Sequence, residues 1–260
     1  MVLSTSFTNR SVKHRLKFSK VSETVMQKRA LITGASRGIG VELTKQLAAA
    51  GWCVYATCRA RTTELDSINL NGGHVIENVD VTTSDGTSAI LKGISERKID
   101  LLINNAGVLG VETLDDLNVN SIRLQFEVNS LAPLLLTSAL LKSGNISDGS
   151  KVTMISSVAG SMASQATGGV YGYRMSKAAL NMASVLLAND LKPRGIPLLI
   201  IHPGAVDTAM LNKLTTSIGY SFPGVLTTAQ SATEILKRIE LTDMASSGKF
   251  FHVNGEEVPW

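Results

Sequence analysis

The chain has 260 residues, 44% hydrophobic and 18% charged, which is enough apolar chain for the core of one large α/β domain. Its formal net charge of +4 is concentrated near the start, because residues 1–29 hold seven of the 25 Lys and Arg but one of the 21 Asp and Glu. The remainder is slightly acidic, which argues against nucleic-acid binding, and no apolar run reaches the roughly 18 residues of a membrane span.

Residues 1–28 form a basic extension rich in Ser and Thr, without the apolar core of a secretory signal. Three interpretations remain open: a mitochondrial transit peptide, a disordered extension without function, or an upstream start codon, since Met26 directly precedes the first predicted strand. We therefore expect a cytoplasmic protein, or a mitochondrial one if the extension is a transit peptide.

From residue 29 onwards, strand-like and helix-like segments alternate, as in a parallel sheet with helices on both faces. The absence of internal repeats and linkers predicts one domain over residues 29–260, with a Rossmann-type doubly wound sheet. Cys53 and Cys58 have opposite parity along the second strand, which predicts buried thiols on opposite faces. The seven predicted strands are residues 29–33, 52–57, 74–79, 99–104, 151–156, 196–202 and 249–253.

The first predicted strand leads into a glycine-rich stretch, residues 33–40 (the glycine loop), followed by a predicted helix over 41–50. Glycines between a strand and a helix let backbone amides approach a pyrophosphate, which the positive helix end favours. The spacing G-x-x-x-G-x-G in this context predicts dinucleotide binding rather than a purely structural turn. The predicted contacts in this loop are Gly34, Ser36, Arg37, Gly38, Ile39 and Gly40.

The end of the second predicted strand indicates which nicotinamide cofactor is bound. An acidic residue there would hold the ribose 2′-hydroxyl of NADH, but residues 57–61 contain no carboxylate. Arg59 and Arg37 instead offer guanidinium groups that pair well with a 2′-phosphate. NADP(H) is therefore predicted as the cofactor; the alternative is that both arginines are solvated surface residues.

Five motifs in the same order resemble the short-chain dehydrogenase/reductase family over residues 29–260. They are the glycine loop, Asp80-Val81 after the third strand, Asn104-Asn105-Ala106-Gly107 after the fourth, Ile155-Ser156-Ser157 ending the fifth, and Tyr173-x-x-x-Lys177. Within that family, His202-Pro203-Gly204 and the closing residues 254–260 are similar to the C-factor and sniffer-type carbonyl reductases.

The resemblance implies a catalytic group of Asn129, Ser157, Tyr173 and Lys177. Tyr173 and Lys177 lie four residues apart in a predicted helix, residues 171–190, and so share one face. Hydride transfer to a carbonyl leaves an alkoxide that needs a proton, which Tyr173 would give while Lys177 lowers its pKa. Ser157 would hold the carbonyl oxygen.

Asn129 has physical support from the sequence as well as from the resemblance. Pro133, four residues later in a predicted helix, lacks the amide that would bond the carbonyl of Asn129. The resemblance implies that this asparagine holds a water that continues a proton relay from Lys177. The alternative is a plain helix kink.

The resemblance implies further cofactor contacts beyond the glycine loop. Asp80 would contact the adenine amino group, and the segment after the sixth strand would fix the nicotinamide carboxamide. Tyr173 and Lys177 would contact the cofactor as well as the substrate. The remaining implied positions are Val81, Asn105, Ala106, Gly107, Pro203, Gly204, Val206 and Thr208.

Two segments are expected to shape the substrate site. Residues 161–170 (the insert loop) lengthen the interval between Ser157 and Tyr173 and are predicted to form a loop at the mouth of the site. Residues 211–226 are predicted to form a mobile lid whose aromatics favour an apolar carbonyl substrate; a packed surface loop is the alternative.

Two functions remain open at this stage. The first is NADPH-dependent reduction of an aldehyde, ketone or quinone; the second is an NAD(P)-binding signalling or scaffold protein of C-factor type. The four histidines lack metal-ligand spacing, so no metal site is predicted. Apolar residues 131–141 and 178–187 match helices that pair across a two-fold axis in the family, which implies a homodimer or homotetramer.

Overall fold

Seven short strands and eight α-helices alternate along the chain in the computed structural model, which describes residues 27–260. The strands are β1 (Arg29–Ile32), β2 (Cys53–Thr57), β3 (Val75–Ile76), β4 (Leu101–Asn104), β5 (Lys151–Ile155), β6 (Leu198–His202) and β7 (Phe250–His252). The helices are α1 (Gly38–Ala49), α2 (Thr63–Asp66), α3 (Ser84–Ile94), α4 (Val119–Phe126), α5 (Ala132–Lys142), α6 (Tyr171–Leu191), α7 (Ala209–Ile218) and α8 (Thr228–Leu241). The predictions for residues 1–26 lie outside the described part of the chain.

All seven strands pair in parallel in one sheet of order β3-β2-β1-β4-β5-β6-β7, which confirms the predicted doubly wound fold. Every strand lies where it was predicted, and each is shorter than its predicted range. The largest difference is β3, which ends at Ile76 because Asn78 adopts a left-handed backbone (φ 58°) that an extended strand does not accommodate.

The sheet separates two hydrophobic cores. Neighbouring strand residues alternate between them: Leu31 packs with α3, α5 and α6, whereas Ala30 and Ile32 pack with α1 and α8. Cys53 lies in the first core and Cys58 in the second, and both are buried free thiols, as predicted.

A π-turn, Glu127–Leu131, joins α4 to α5, so residues 119–142 form one continuous helix. By length and hydropathy alone this helix could cross a membrane, but half of its most apolar window is buried within the domain. That burial is typical of a core helix. The π-turn contains Asn129 and ends two residues before Pro133, and such turns are frequent at functional sites.

The chain reverses its direction across the sheet between β1 and β4, because β2 and β3 lie on one side of β1 and all later strands lie on the other. In doubly wound sheets, ligands bind at the carboxyl ends of the strands at such a reversal. The glycine loop follows β1 and residues 105–118 (the β4–α4 loop) follow β4, so both loops meet at this crevice.

Candidate active site

The glycine loop is packed against the end of β4 through side chains of both segments. The Thr33 hydroxyl accepts hydrogen bonds from the amides of Asn105 (3.0 Å) and Ala106 (3.1 Å), and Asn105 Nδ2 donates to the carbonyls of Thr33 and Gly34. A Cβ at Gly34, where φ is 66°, would lie 2.8 Å from Ala106 Cα. Asn105, predicted to contact the cofactor, therefore holds the glycine loop with its side chain.

The amino end of α1 fits the phosphates of a dinucleotide. Its N-cap residue, Arg37, makes no side-chain capping hydrogen bond, whereas the N-caps of α2, α3, α4, α7 and α8 all do. The first amides of α1 are thus left for another acceptor, and the positive helix end favours an anion. The side chain of Ile39 packs partly into the core.

Arg37 and Arg59 are both exposed beside this helix end, and neither forms an ion pair within residues 27–260. Arg61 differs, because its Nε lies 2.7 Å from Asp66 Oδ1. Hydrogen bonds from the Thr82 hydroxyl and amide lower the pKa of Asp80, and the nearby Arg59 guanidinium acts in the same direction. The Arg59 guanidinium is thus close enough to Asp80 to act on its carboxylate. Of the other predicted contacts, Ser36 accepts a hydrogen bond from the Thr62 hydroxyl through its main-chain carbonyl, and Val81 lines a small cavity with Ala106.

Three of the four predicted catalytic side chains, Ser157, Tyr173 and Lys177, come from the end of β5 and the first turns of α6. A Cβ at Gly160 would lie 2.6 Å from the Lys177 carbonyl carbon, so this glycine lets α6 approach the turn after β5. Ser157 starts that turn, and its Oγ accepts a hydrogen bond from the Ala159 amide (3.1 Å). The Ser157 hydroxyl proton thus remains free to donate to a carbonyl oxygen.

Tyr173 is half-buried in the first turn of α6, facing Ser157. Burial raises the pKa of its phenol, and the nearby Ser157 hydroxyl opposes that increase without reversing it. In the protein without cofactor the pKa of Tyr173 is therefore raised on balance, because loss of hydration outweighs the other contributions. The lowering of this pKa by Lys177 stays a prediction. A raised pKa keeps the phenol protonated, as a proton donor requires.

Lys177 is 4% exposed, and its Nζ donates to the Ile155 carbonyl at 2.8 Å. Burial lowers the pKa of this ammonium to about 8. The Nζ atom lies 5.8 Å from the centre of the Tyr173 ring. Near it, a Cβ at Gly107 would stand 3.9 Å from Nζ and 3.4 Å from Asn129 Oδ1, which brings the β4–α4 loop, Asn129 and Lys177 together.

Asn129 is buried, and its side chain clamps the β4–α4 loop. Its Oδ1 accepts from the Val108 amide (2.9 Å), and its Nδ2 donates to the Val108 carbonyl (2.9 Å) and to Ser176 Oγ (3.0 Å). Ser176 in turn donates to the Tyr173 carbonyl (2.8 Å). The side chain of Asn129 therefore has a positioning role; the water held by its main-chain carbonyl stays a prediction.

The segment after β6 crosses the glycine loop. The Thr208 methyl would lie 3.5 Å from a Cβ at Gly38, and its hydroxyl caps α7 by accepting from the Leu211 amide. Val206 forms a bridge with Leu226, which joins the end of the lid segment to the chain that precedes it. Pro203 is fixed through its carbonyl, which accepts from Ser231, and Gly204 turns the chain with φ 82°.

The predicted lid includes α7 except for its first two residues, and no residue of this helix is buried. Lys213 Nζ donates to the Leu109 carbonyl (3.3 Å), so α7 reaches across to the β4–α4 loop. Tyr220 and Phe222 follow α7 in edge-to-face contact, 5.1 Å between ring centres. The insert loop is a loop, as predicted, and it is tied to the C-terminus, because Ala163 N donates to the Trp260 carbonyl (2.9 Å).

Sequence reasoning missed two buried residues beside the catalytic helix, Glu112 and Gln125. Glu112 is 2% exposed and its carboxylate accepts from the Gly172 amide, while Gln125 is 1% exposed and binds Glu112 directly. A signal was available: Ser121, Gln125 and Asn129 recur every four residues, which predicts a polar stripe along one helix face.

The sequence profile of the short chain dehydrogenase family matches residues 28–219. Two curated proteins align well. One is the 1-hydroxy-2-glutathionyl-2-methyl-3-butene dehydrogenase of Rhodococcus sp. (strain AD45), 32% identical over 235 residues that cover 88% of this chain and 98% of that protein. The other is the C-signal of Myxococcus xanthus, 39% identical over 163 residues that cover 62% and 93%.

Solved structures of carbonyl reductases share the fold. The NADPH-bound carbonyl reductase from chicken fatty liver superposes with a TM-score of 0.75 at 27% identity, over 90% of this chain and 99% of that one. The carbonyl reductase Sniffer of D. melanogaster gives a TM-score of 0.75 at 26% identity, over 90% and 100%. The chain belongs to the short-chain dehydrogenase/reductase family, with the C-signal and sniffer-type carbonyl reductases among its relatives.

Proposed function

We propose that the protein reduces an aldehyde, ketone or quinone to the alcohol with NADPH, and that Tyr173 donates the proton. The observation that carries this proposal is the meeting of Tyr173, Ser157 and Lys177 at the carboxyl end of β5, beside the crevice formed by the glycine loop and the β4–α4 loop. Solved carbonyl reductases of the same fold support the reaction class.

NADPH would supply the hydride, and residues of this chain would bind and protonate the carbonyl oxygen of the substrate. The Ser157 hydroxyl, whose oxygen already accepts from Ala159, donates to the carbonyl oxygen and stabilises its developing charge. Tyr173, kept protonated by its raised pKa, then transfers its proton to the alkoxide. Lys177 places a positive charge near the phenol and stabilises the tyrosinate that remains.

Replacement of Tyr173 by Phe tests this role, with Tyr171→Phe as the matched control two residues away on the same helix. General acid catalysis contributes about 10²- to 10⁴-fold, so Tyr173→Phe should lower kcat by that factor while NADPH still binds. NADPH oxidation would be followed at 340 nm across aldehydes, ketones and quinones. Equal rates for Tyr173→Phe and the parent would refute the proton donor.

NADPH is proposed over NADH because Arg59 and Arg37 are exposed and form no ion pair with any carboxylate of residues 27–260. Arg59→Ala should weaken NADPH binding about 10- to 100-fold, the value of one or two charge-assisted hydrogen bonds, and leave NADH binding unchanged. Arg61→Ala is the control, because Asp66 already engages that guanidinium. An unchanged NADPH affinity in Arg59→Ala would remove the basis for this choice.

A second candidate is a cofactor-binding signalling or scaffold protein with little turnover, favoured by the 39% identity to the C-signal. NADPH binding without turnover of any carbonyl in the panel would support it. Retention of Asn129, Ser157, Tyr173 and Lys177 favours the enzyme.

We also propose that the protein acts as a homodimer or homotetramer. Four apolar side chains on α5, α6 and the π-turn before α5 are 41–62% exposed: Leu131, Leu135, Met182 and Leu186. Such a face is typical of an interface rather than of a solvated helix. Leu135→Lys with Met182→Lys should yield a monomer in sedimentation experiments, and a monomeric parent would contradict the proposal.

For the location in the cell, the cytoplasm is proposed, with the mitochondrion as the alternative if residues 1–28 are cleaved. Amino-terminal sequencing of the protein from its own cells distinguishes the two, because an intact Met1 excludes a removed transit peptide.

A further inference from the structure

Glu112 is a buried carboxylate in the β4–α4 loop with no basic partner among the ion pairs of residues 27–260. Its Oε1 accepts from Ser121 Oγ (2.8 Å) and Gln125 Nε2 (2.7 Å), and its Oε2 accepts from the Gly172 amide (3.1 Å). Burying a carboxylate is costly unless every oxygen is hydrogen-bonded. Here all the hydrogen-bond donors to the carboxylate are neutral groups, so the position of the Glu112 side chain depends on every one of them.

Glu112 fixes the start of the catalytic helix at two points. Its carboxylate binds the amide of Gly172 in the first turn of α6, where the helix dipole favours a negative charge. Its main-chain carbonyl accepts from the Val170 amide at 2.7 Å. Val170 has φ 55°, an unfavourable conformation for a β-branched residue, which surrounding contacts must therefore maintain. Tyr173 follows Gly172 directly.

Gln125 connects the same carboxylate to the other wall of the site. Its Oε1 accepts a hydrogen bond from the Gly110 amide (2.9 Å) in the β4–α4 loop. One helical turn after Gln125, Asn129 binds Val108 of the same loop. The Gln125 side chain is tightly packed: a Cβ at Gly110 would lie 2.6 Å from Gln125 Nε2, and a Cβ at Gly172 would overlap that atom.

We propose that Glu112, acting with Gln125, is a positioning residue for the reaction: the pair sets the distance between the Tyr173 phenol and the β4–α4 loop that faces the substrate. This inference rests on the proposed function. Neither residue touches the reacting atoms; both act through the backbone of Gly172 and Gly110. A displacement of about 1 Å at a reacting group can lower a rate by about 100-fold.

The arrangement allows a test by exchange of the two side chains. Glu112→Gln brings two amide donors together, because Gln125 Nε2 already points at Glu112 and Gln125 Oε1 is engaged by Gly110. Gln125→Glu brings two carboxylates together. In the double variant the carboxylate introduced at position 125 can accept from Gly110 and from the amide introduced at position 112. The oxygen of that amide can accept from Gly172, so donors and acceptors are again matched.

We expect each single variant to lower kcat by about 10- to 100-fold, with the KM for NADPH changed less than about threefold, and the double variant to recover most of the loss. Asn145→Ala is the control for mere destabilisation: Asn145 is equally buried and binds the carbonyls of Ser95 and Arg97, near the amino end of β4 and away from the site. It should lower the melting temperature and leave kcat unchanged.

Amide hydrogen exchange gives a readout that needs no turnover. In Glu112→Gln the amides of residues 170–173 should exchange at least 10-fold faster than in the parent and in Asn145→Ala. Absence of carbonyl turnover in the parent would count against the proposed function alone. Unchanged kcat and unchanged exchange in Glu112→Gln, or no recovery in the double variant, would overturn the positioning role.

Discussion

Lys177 gives a quantitative prediction, because burial lowers its pKa from an ordinary value of 10.5 to about 8. The protonated form is disfavoured in the folded protein, so the unfolded chain binds more protons between these two pH values. Stability should therefore rise with pH across that window. The cost is fully present below pH 8 and disappears above pH 10.5.

The magnitude follows from the pKa difference. Each pKa unit corresponds to about 1.4 kcal/mol, so the buried ammonium costs the folded state about 3 kcal/mol near pH 7. Lys177→Met removes this cost at every pH. Its loss of the hydrogen bond to the Ile155 carbonyl is independent of pH and cancels from the comparison. The difference in unfolding free energy between variant and parent should thus be about 3 kcal/mol larger at pH 7 than above pH 10.5.

Urea unfolding without cofactor, followed by circular dichroism at several pH values, measures this difference, because ionisations shared by the two proteins cancel. Lys142→Met, at the exposed end of α5, is the control and should show no such trend. A difference that stays flat between pH 7 and pH 10.5 would refute the reasoning, since it would mean that Lys177 keeps its hydration in the folded protein.

Three further predictions concern close contacts. Gly40→Ala should abolish NADPH binding and lower the melting temperature, because its Cβ would overlap the Gly34 carbonyl; calorimetric titration would measure the loss. Gly172→Ala should lower kcat at least 10-fold with little effect on cofactor affinity, since its Cβ would push against Gln125 Nε2; steady-state kinetics would separate the two. Deletion of Trp260 removes one of the two C-terminal carbonyls that hold the insert loop and a ring stacked on Phe250, so KM for the carbonyl substrate should rise while NADPH affinity stays constant.

The sequence predicted the sheet well because its strands are continuous apolar runs buried on both faces, a pattern that depends little on the rest of the fold. The ends of strands were less predictable. The left-handed conformation of Asn78 shortens β3. Asparagine tolerates this conformation but does not require it, so the residue type alone does not predict where the strand ends.

At the site, the four-residue spacing was sufficient to predict that Tyr173 and Lys177 lie close together, because one helix carries both. The direction of the Tyr173 pKa could not be obtained in this way, since it depends on how much water the packing removes. Glu112 was missed for a related reason: its hydrogen-bond partners come from two different helices, α4 and α6. Its neighbours Asp115 and Asp116 also make the segment look like an acidic, solvated loop.

If a dinucleotide binds as proposed, the amino end of α1, which has no side-chain cap, connects the stability of the fold to the supply of that ligand. A phosphate bound there would act as the helix cap that Arg37 does not supply, so ligand binding and folding would share one free energy. At 100 times its dissociation constant a ligand adds about 2.7 kcal/mol to stability. Resistance to proteolysis, and with it the lifetime of the protein in the cell, would then follow the supply of the dinucleotide.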